Sequence, residues 1–302
     1  NDTPTITAAA ATAPLVEAGG VANGTAGTAT SSITMAIADV DAADTATFDM
    51  VSAGWATADV GVTYTKAGTY GDAVFTVSTG VVAYTLDDTK AATQGLNAAQ
   101  AVTDTFAVIT TDGVATATEN AVFNITGTND TPTITATAAT APLVEAGGVA
   151  NGTAGTATSS ITMTIADVDD ADTATFDVTA METAGWVTAD AGITYTKAGT
   201  YGDAVFTVST GVVAYTLDND NAATQALDAS DTGTDTFAVI TTDSSAATAT
   251  EDAVFSIAGS NDTPTITAGT ASAALVEAGG VANATAGTAT SSITMTIADV
   301  DD

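Results

Sequence analysis

The chain has 302 residues, of which 36 are acidic and three are lysine or arginine, so its formal charge at pH 7 is -33. A surface this acidic repels the phosphates of nucleic acids and of anionic membranes, which excludes nucleic-acid binding and direct membrane insertion. The lack of cysteine and histidine excludes thiol and imidazole catalysis, zinc sites and disulfide bonds. Oxygen ligands for hard cations such as calcium are what remains.

The sequence is built from copies of one long unit. NDTPTITA begins at residues 1, 129 and 261, and the interval between copies grows from 128 to 131 after an insertion near Met181, and to 132 near Ser245. Insertions between periodic stretches are typical of loops. We predict one sandwich domain at 1–128, a second at 129–260 and a partial third copy at 261–302. Because the chain starts and stops inside repeated motifs, we interpret it as part of a longer protein.

In chain order, the first clear element is SSITMAIADVD at 31–41, where Ile33, Met35 and Ile37 share one face. Such a period of two is typical of a half-buried β-strand. AVFTVSTGVVAYTLDD at 73–88 predicts a hairpin with its turn at 78–80. The Ala-rich stretch DTKAATQGLNAAQ at 88–100 predicts one or two helical turns.

Two further alternating stretches end each copy. TDTFAVITTDG at 103–113 places Phe106 and Val108 on one face, and ENAVFNITGTND at 119–130 does the same with Phe123 and Ile125. The abundance of threonine and valine fits strands, where branched side chains pack well. About seven or more short strands in each copy predict an all-β fold of tandem Ig-like β-sandwich repeats.

Acidic residues cluster where predicted strands end. ADVDAAD at 38–44 carries Asp39, Asp41 and Asp44, and ADVDDAD at 166–172 repeats this pattern. A loop at a strand end can fold such carboxylates around one ion, and calcium takes about six to eight oxygen ligands. A solvated acidic loop is the alternative interpretation.

LVEAGG, ADVDAAD, AGTYGDAVFTVSTGVVAYTLDD, TDTFAVITTDG and ITGTNDTP follow one another in the first copy, and the second copy repeats them in the same order with few changes, such as ADVDDAD and YTLDN. In this order they resemble the VCBS repeat of giant bacterial surface proteins, and the resemblance extends over the visible part of the third copy. It implies Ig-like, cadherin-like units strung into an elongated rod within secreted adhesins of the RTX type. The implied location is extracellular, at the bacterial cell surface or secreted.

The wider similarity to cadherin-type modules implies calcium ligands at each junction between copies. Between copies 1 and 2 the implied ligands are Glu17, Asp87, Asn129, Asp130, Asp167, Asp169 and Asp243. At the next junction they are Glu145, Asp218, Asn261, Asp262, Asp299 and Asp301. Before copy 1 they are Asp2, Asp39, Asp41 and Asp112. LDD at 86–88 and LDN at 217–219 depart from the family pattern because they lack its following glutamate, which weakens the assignment of Asp87 and Asp218. An ordinary turn is the alternative interpretation of NDTP.

We expect a non-catalytic, calcium-rigidified stalk of a bacterial adhesin or surface filament that serves attachment or biofilm formation. Its partners are the neighbouring repeats and, in a filament, identical chains. One alternative is a self-assembling fibre or sheath subunit. Another is a carbohydrate-binding module with a platform formed by Trp55, Tyr70 and their copies Trp186 and Tyr201, although such aromatics are also typical of a core.

Two smaller features complete the predictions. Lys66 and Lys197 occupy the same place in successive copies, and we predict that they pair with Asp72 and Asp203; an isopeptide bond is the alternative. The Asn-Gly-Thr and Asn-Ala-Thr triplets at Asn23, Asn151 and Asn283, like each Asn-Asp-Thr, fit the glycosylation pattern.

Overall fold

Alternating branched, aromatic and small polar residues form short β-strands along the computed structural model, which describes residues 1–41, 44–59, 61–98, 100–188 and 190–301. The elements of the first copy are β1 (Thr5–Ala8), β2 (Leu15–Val16), a 3-10 turn (Val21–Asn23), β3 (Thr30–Ala38), β4 (Thr47–Phe48), β5 (Ala56–Asp59), β6 (Thr63–Ala67), β7 (Gly71–Thr76), β8 (Val81–Leu86), helix α1 (Ala91–Gln94), β9 (Ala101–Thr111) and β10 (Thr116–Thr126).

The second and third copies repeat this order of elements. The second has β11 (Thr133–Ala136), β12 (Leu143–Val144), a 3-10 turn (Val149–Asn151), β13 (Thr158–Ala166), β14 (Thr175–Phe176), helix α2 (Val178–Thr183), β15 (Val187–Thr188), β16 (Thr194–Ala198), β17 (Gly202–Thr207), β18 (Val212–Leu217), helix α3 (Ala222–Gln225), β19 (Thr232–Thr242) and β20 (Thr248–Ala258). The third has β21 (Thr265–Ala268), a 3-10 turn (Val281–Asn283) and β22 (Met295–Ala298).

Each full copy forms two sheets. In the first copy the strand orders are β1-β3-β8-β7-β6-β5 and β2-β10-β9-β4, and the second copy has β11-β13-β18-β17-β16-β15 and β12-β20-β19-β14. The chain leaves the larger sheet after β1 and joins the smaller one as β2, which pairs in parallel with β10, with Leu15 opposite Ile125. Since parallel strands end at the same edge of a sheet, the residues that follow β2 and β10 become neighbours.

The two sheets of the first copy pack face to face through one core, which confirms the predicted all-β sandwich. The larger sheet supplies Ile33, Met35, Phe75, Val82 and Tyr84, and the smaller one supplies Leu15, Phe106, Val108, Phe123 and Ile125. Tyr84 stacks on Phe123 with ring centroids 4.8 Å apart, and Tyr215 stacks on Phe255 at the same distance in the second copy. The alternation in the sequence therefore identified the buried face correctly.

The predicted hairpin at 73–88 is confirmed as β7 and β8, with Gly80 in the left-handed region (φ 66°). The helical turns predicted at 88–100 are limited to α1, and Ala99 lies outside the described residues. The prediction of a loop at the insertion near Met181 is wrong. The insertion forms α2, which buries Met181. The N-cap of this helix is Asp177, whose side chain accepts from the Ala180 N–H. Met50 is buried just as deeply in the shorter first copy.

Trp55 and Trp186 belong to the core. They are 4% and 1% exposed, and their indole N–H groups donate to the carbonyls of Ala107 (2.8 Å) and Ala238 (2.9 Å). A carbohydrate platform built on these tryptophans is therefore wrong. Their role is to fill the space between the two sheets.

The lysine pairing predicted from the sequence is also corrected. Lys66 and Lys197 donate to the backbone carbonyls of Ala53 and Ala184, each at 2.8 Å. Asp72 instead forms its ion pair with Lys90 at 3.0 Å. Lys66 and Lys197 thus close the turn that precedes each tryptophan.

The third copy leaves its apolar side chains exposed. Ile266, Leu275 and Met295 are 64%, 67% and 52% exposed, whereas their counterparts in the full copies, such as Ile134 and Leu143, are buried. β21 and β22 form a two-stranded antiparallel sheet. No helix in the described part of the chain is long and apolar enough to cross a membrane.

Two compact units divide the chain. One contains residues 1–134, 165–176 and 241–249, and the other contains 135–164, 177–240 and 250–302. The loops at 165–176 and 241–249 therefore group with the first copy, although their sequence belongs to the second. The domain boundaries at 128 and 260 stay a prediction from the sequence.

Candidate metal centre

Glu17 lies beside the segment that follows the first copy because β2 and β10 end together. The Glu17 N–H donates to the Thr126 carbonyl (3.0 Å), and the Thr128 N–H donates to Glu17 Oε2 (3.1 Å). Gly19 makes this approach possible, since a Cβ there would lie 2.6 Å from Thr128 Cγ2. The carboxylate is held at the start of the linker and is only 1% exposed.

The linker residues Asn129 and Asp130 meet the acidic loops that follow β13 and β19. The Asp130 N–H donates to Asp169 Oδ2 (2.8 Å), and the Asp169 N–H donates to Asp167 Oδ1 (3.1 Å). Asn129 Nδ2 donates to Asp243 Oδ2 (2.9 Å). The side chains predicted from the NDTP and ADVD motifs therefore come together within one compact unit.

We call this group the first linker site: Glu17, Asp88, Asn129, Asp130, Asp167, Asp169 and Asp243. The second linker site repeats its scaffold and comprises Glu145, Asn219, Asn261, Asp262, Asp299 and Asp301. There the Ser260 N–H donates to Glu145 Oε2 (3.1 Å), the Asp262 N–H to Asp301 Oδ2 (2.7 Å) and the Asp301 N–H to Asp299 Oδ1 (3.4 Å).

The residues predicted to act before the first copy also meet. The Asp2 N–H donates to Asp41 Oδ2 (2.6 Å), the Asp41 N–H donates to Asp39 Oδ1 (2.9 Å), and Asn1 Nδ2 donates to Asp112 Oδ2 (3.1 Å). The same hydrogen bonds thus recur where each NDTP motif begins, which an ordinary surface turn does not require.

At LDD and LDN, the predicted residues Asp87 and Asp218 do not face the linker sites. The side chains of Asp87 and Asp218 form hydrogen bonds within the turns that follow their strands. Asp87 Oδ1 accepts from the Thr89 N–H and hydroxyl (3.0 and 2.6 Å), and Asp218 Oδ1 accepts from the Asp220 N–H (2.9 Å). Asp88 lies beside Glu17 instead, with its Oδ1 accepting from the Ala18 N–H at 3.3 Å. Sequence reasoning missed Asp88 because it followed the family position of the first aspartate in LDD.

Buried oxygen atoms without a hydrogen-bond partner concentrate at these sites. In the described residues, ten of the eleven buried side-chain atoms without a partner belong to residues predicted as ligands: Glu17 Oε1, Asp39 Oδ2, Asn129 Oδ1, Asp130 Oδ1 and Oδ2, Asp167 Oδ2, Asp169 Oδ1, Asp262 Oδ1 and Oδ2, and Asp301 Oδ1. Native proteins rarely leave buried polar atoms unsatisfied. Oxygen atoms gathered in this way fit a hard cation.

The close packing of carboxylates at the linker sites also raises their pKa values. Burial, followed by the charges of Asp130, Asp169 and Asp88, raises the pKa of Glu17 to about 8. Burial and the neighbouring aspartates raise the pKa of Asp130 to about 6. Burial is also the main cause of the raised pKa of Asp167, Asp169, Glu145 and Asp262. The sites therefore disfavour their own negative charge and favour a positive partner.

The raised pKa values predict that, in the presence of chelator, the free energy of unfolding decreases as pH rises. The folded chain keeps protons on Glu17 and Asp130 up to about pH 8 and 6, whereas the ordinary pKa values are 4.5 and 3.8. Because the folded state binds more protons, its free energy of unfolding falls as pH rises from about 4.5 to about 8. Carboxyls with a lowered pKa, such as Asp87, act below this window.

Thermal melting in chelator at several pH values between about 5 and 8 checks this expectation. The melting temperature should decrease over that range, and saturating calcium should flatten the dependence because the ion replaces the protons. A melting temperature that rises across the range in chelator contradicts the prediction.

The carboxylates of the linker sites are not arranged as a complete set of metal ligands in the described residues. Within the described residues, no group of three or more aspartate, glutamate, histidine or cysteine side chains could already hold a metal ion. Like charges at short range repel, so the side chains have reason to stay apart without a cation. The donor atoms fit calcium by chemistry and burial, and closing around the ion would require side-chain movement.

Comparison with family models and with curated proteins gave no match. Among solved structures, the chain is similar to Drosophila N-cadherin EC1-4, at 12% identity and a TM-score of 0.31, with 76% of this chain and 45% of that chain covered. It is similar to protocadherin Gamma B2 extracellular cadherin domains 1-5, at 11% identity and a TM-score of 0.34, covering 85% and 40%. It is also similar to mouse cadherin-23 EC22-24, at 13% and 0.32, covering 86% and 67%.

These similarities are weak. With TM-scores below 0.5 they carry no argument about the fold or the ligands of this chain. The chain spans less than half the length of the N-cadherin and protocadherin chains. The assignment to an all-β sandwich fold therefore rests on the sheets and core described above.

Proposed function

We propose that the chain is a non-catalytic, extracellular repeat region in which calcium at the linker sites stabilises the junctions between copies. In this role it acts as a stalk of a bacterial adhesin or surface filament of the VCBS type. The observation that supports the proposal most is the concentration of unpartnered buried oxygens on the predicted ligands. The order of motifs in the sequence supports the family assignment.

The proposed mechanism is mechanical. Glu17 comes from the first copy, Asn129 and Asp130 from the linker, and Asp167, Asp169 and Asp243 from the second copy. An ion bound by all three segments would fix the linker backbone, and it would offset repulsion among the carboxylates. Acidic residues away from the sites keep the chain soluble through their like charge.

Calcium should therefore raise stability and reduce flexibility together. At a calcium concentration about a hundredfold above the dissociation constant, each site contributes about 2.7 kcal/mol. Thermal melting and small-angle scattering, each with calcium and with chelator, measure the two effects. We expect a higher melting temperature and a longer, more uniform particle with calcium. If neither quantity changes, the proposed function is wrong.

A further inference from the structure

The two linker sites share the acidic positions of Glu17, Asp130 and Asp169 but differ at the position of Asp88. Besides these three, one more pair is shared: Glu17, Asp130, Asp167 and Asp169 correspond to Glu145, Asp262, Asp299 and Asp301. Asp88 of the first site corresponds to Asn219 in the second, and the part of the third copy that would correspond to Asp243 lies outside this sequence. Asp88 Oδ1 accepts from the Ala18 N–H at 3.3 Å, and Asn219 Oδ1 accepts from the Ala146 N–H at 2.9 Å. The two side chains therefore occupy the same place with different charge.

Asp88 contributes its charge directly to the first site. It is among the groups whose charge raises the pKa of Glu17 and Asp130, so its carboxylate lies within effective electrostatic range of both. Asn219 is neutral, and its second terminal atom is an amide nitrogen that cannot bind a cation. At this position the first site thus offers a cation one negative charge that the second does not.

A second difference concerns how the buried glutamate is satisfied. Glu145 Oε1 accepts a hydrogen bond from Gln225 Nε2 at 3.2 Å. The corresponding Gln94 donates to Asn23 Oδ1 at 3.0 Å, and Glu17 Oε1 has no partner within the described residues. Since Glu17 and Glu145 are equally buried, at 1% exposure, the first site has the greater need for a cation.

We propose that the two linker sites are graded in affinity, so that a divalent cation fills the site around Glu17 and Asp88 before the site around Glu145 and Asn219. The inference rests on the proposed function, because it assumes that calcium binds at both places. Affinity of calcium sites is tuned by the number of charged ligands, and we expect each exchange of aspartate and asparagine to change affinity by about tenfold. The junctions then stiffen in sequence as calcium rises.

Reciprocal substitutions in the full chain test the grading. Calcium is titrated into the wild type, Asp88→Asn and Asn219→Asp, and binding is followed by NMR at the backbone amides of Asp130 and Asp262, which report on the two sites separately. Asp88→Asn should weaken the first site about tenfold and leave the second unchanged. Asn219→Asp should strengthen the second site by a similar factor and leave the first unchanged.

The titrations distinguish a failure of the affinity grading from a failure of the proposed calcium-binding function. Each substitution is compared with the wild type at the same site, so other ligands around that site do not affect the result. If both sites bind calcium but neither exchange changes its own site, the grading is wrong and the calcium-stabilised stalk stands. If neither amide responds to calcium in the wild type, the proposed function fails and the grading fails with it.

Discussion

Asp130→Asn should stabilise the chain in chelator and destabilise it in calcium. Asp130 is 3% exposed, and both of its carboxylate oxygens are buried without a hydrogen-bond partner in the described chain. Without an ion, the substitution removes a charge that burial and Asp169 disfavour. With calcium, it removes a ligand, and the first site loses much of the roughly 2.7 kcal/mol that saturating ion would contribute.

Thermal or urea unfolding in both conditions measures this change of sign. Asp87→Asn is the matched control because Asp87 is a neighbouring acid whose carboxylate holds a turn. It should leave the difference between calcium and chelator unchanged. If Asp130→Asn shifts stability in the same direction in both conditions, the buried carboxylate does not serve a cation.

The core was predictable because alternation in a strand has only two phases. Once Phe106 and Val108 define the inward face of β9, every second residue follows, and Asp104 and Thr110 are indeed buried in the same phase. The pattern therefore places a carboxylate in the core at Asp104, which the motifs do not single out. A charged residue in an inward phase is the signal that would have found it.

Which aspartate of LDD faces Glu17 was not predictable by the same reasoning. Leu86 is the last residue of β8 and points into the core, but the direction of the next two side chains depends on how the chain leaves the strand. Asp87 begins a turn that involves Thr89, and Asp88 then faces Glu17. Patterning fixes side-chain direction only inside a regular strand, so it cannot tell which of Asp87 and Asp88 faces Glu17 where the strand ends.

The linker motif illustrates what resemblance and structure each contribute. The resemblance to cadherin-type modules implied a calcium site at Asn129, Asp130, Asp167 and Asp169, and hydrogen bonds in the structure join these residues. Their unpartnered oxygens are visible only in three dimensions. The insertion near Met181 shows the opposite limit, since a helix replaced the expected loop where Asp177 supplies an N-cap.

Asp104→Ala should cause the largest loss of stability among single substitutions of acidic residues in the first copy. Asp104 is 4% exposed and accepts from the Tyr84 hydroxyl (2.7 Å) and from the N–H groups of Thr69 and Tyr70 (both 3.0 Å). Alanine would leave the buried Tyr84 hydroxyl and the two part-buried N–H groups without their acceptor. Each such group costs about 1 to 3 kcal/mol, so we expect a loss of about 3 to 5 kcal/mol.

The loss should extend to the first linker site. The Tyr70 carbonyl accepts from the Asp87 N–H (3.0 Å) and from the Thr93 hydroxyl (2.8 Å). Asp104 therefore holds the turn that anchors the segment carrying Asp88. When this turn loosens, Asp88 is no longer fixed beside Glu17, and calcium should bind the first site more weakly while the second site is unaffected.

Asp235 makes the same three hydrogen bonds in the second copy, with Tyr215, Thr200 and Tyr201, so Asp235→Ala gives an independent repeat of the stability experiment. Asp252→Ala on the adjacent strand β20 is the control, because Asp252 is exposed and its removal should change the free energy of unfolding by less than about 0.5 kcal/mol. Urea unfolding measures all three variants. If Asp104→Ala and Asp235→Ala unfold at the same urea concentration as Asp252→Ala, the buried carboxylates do not anchor the turns.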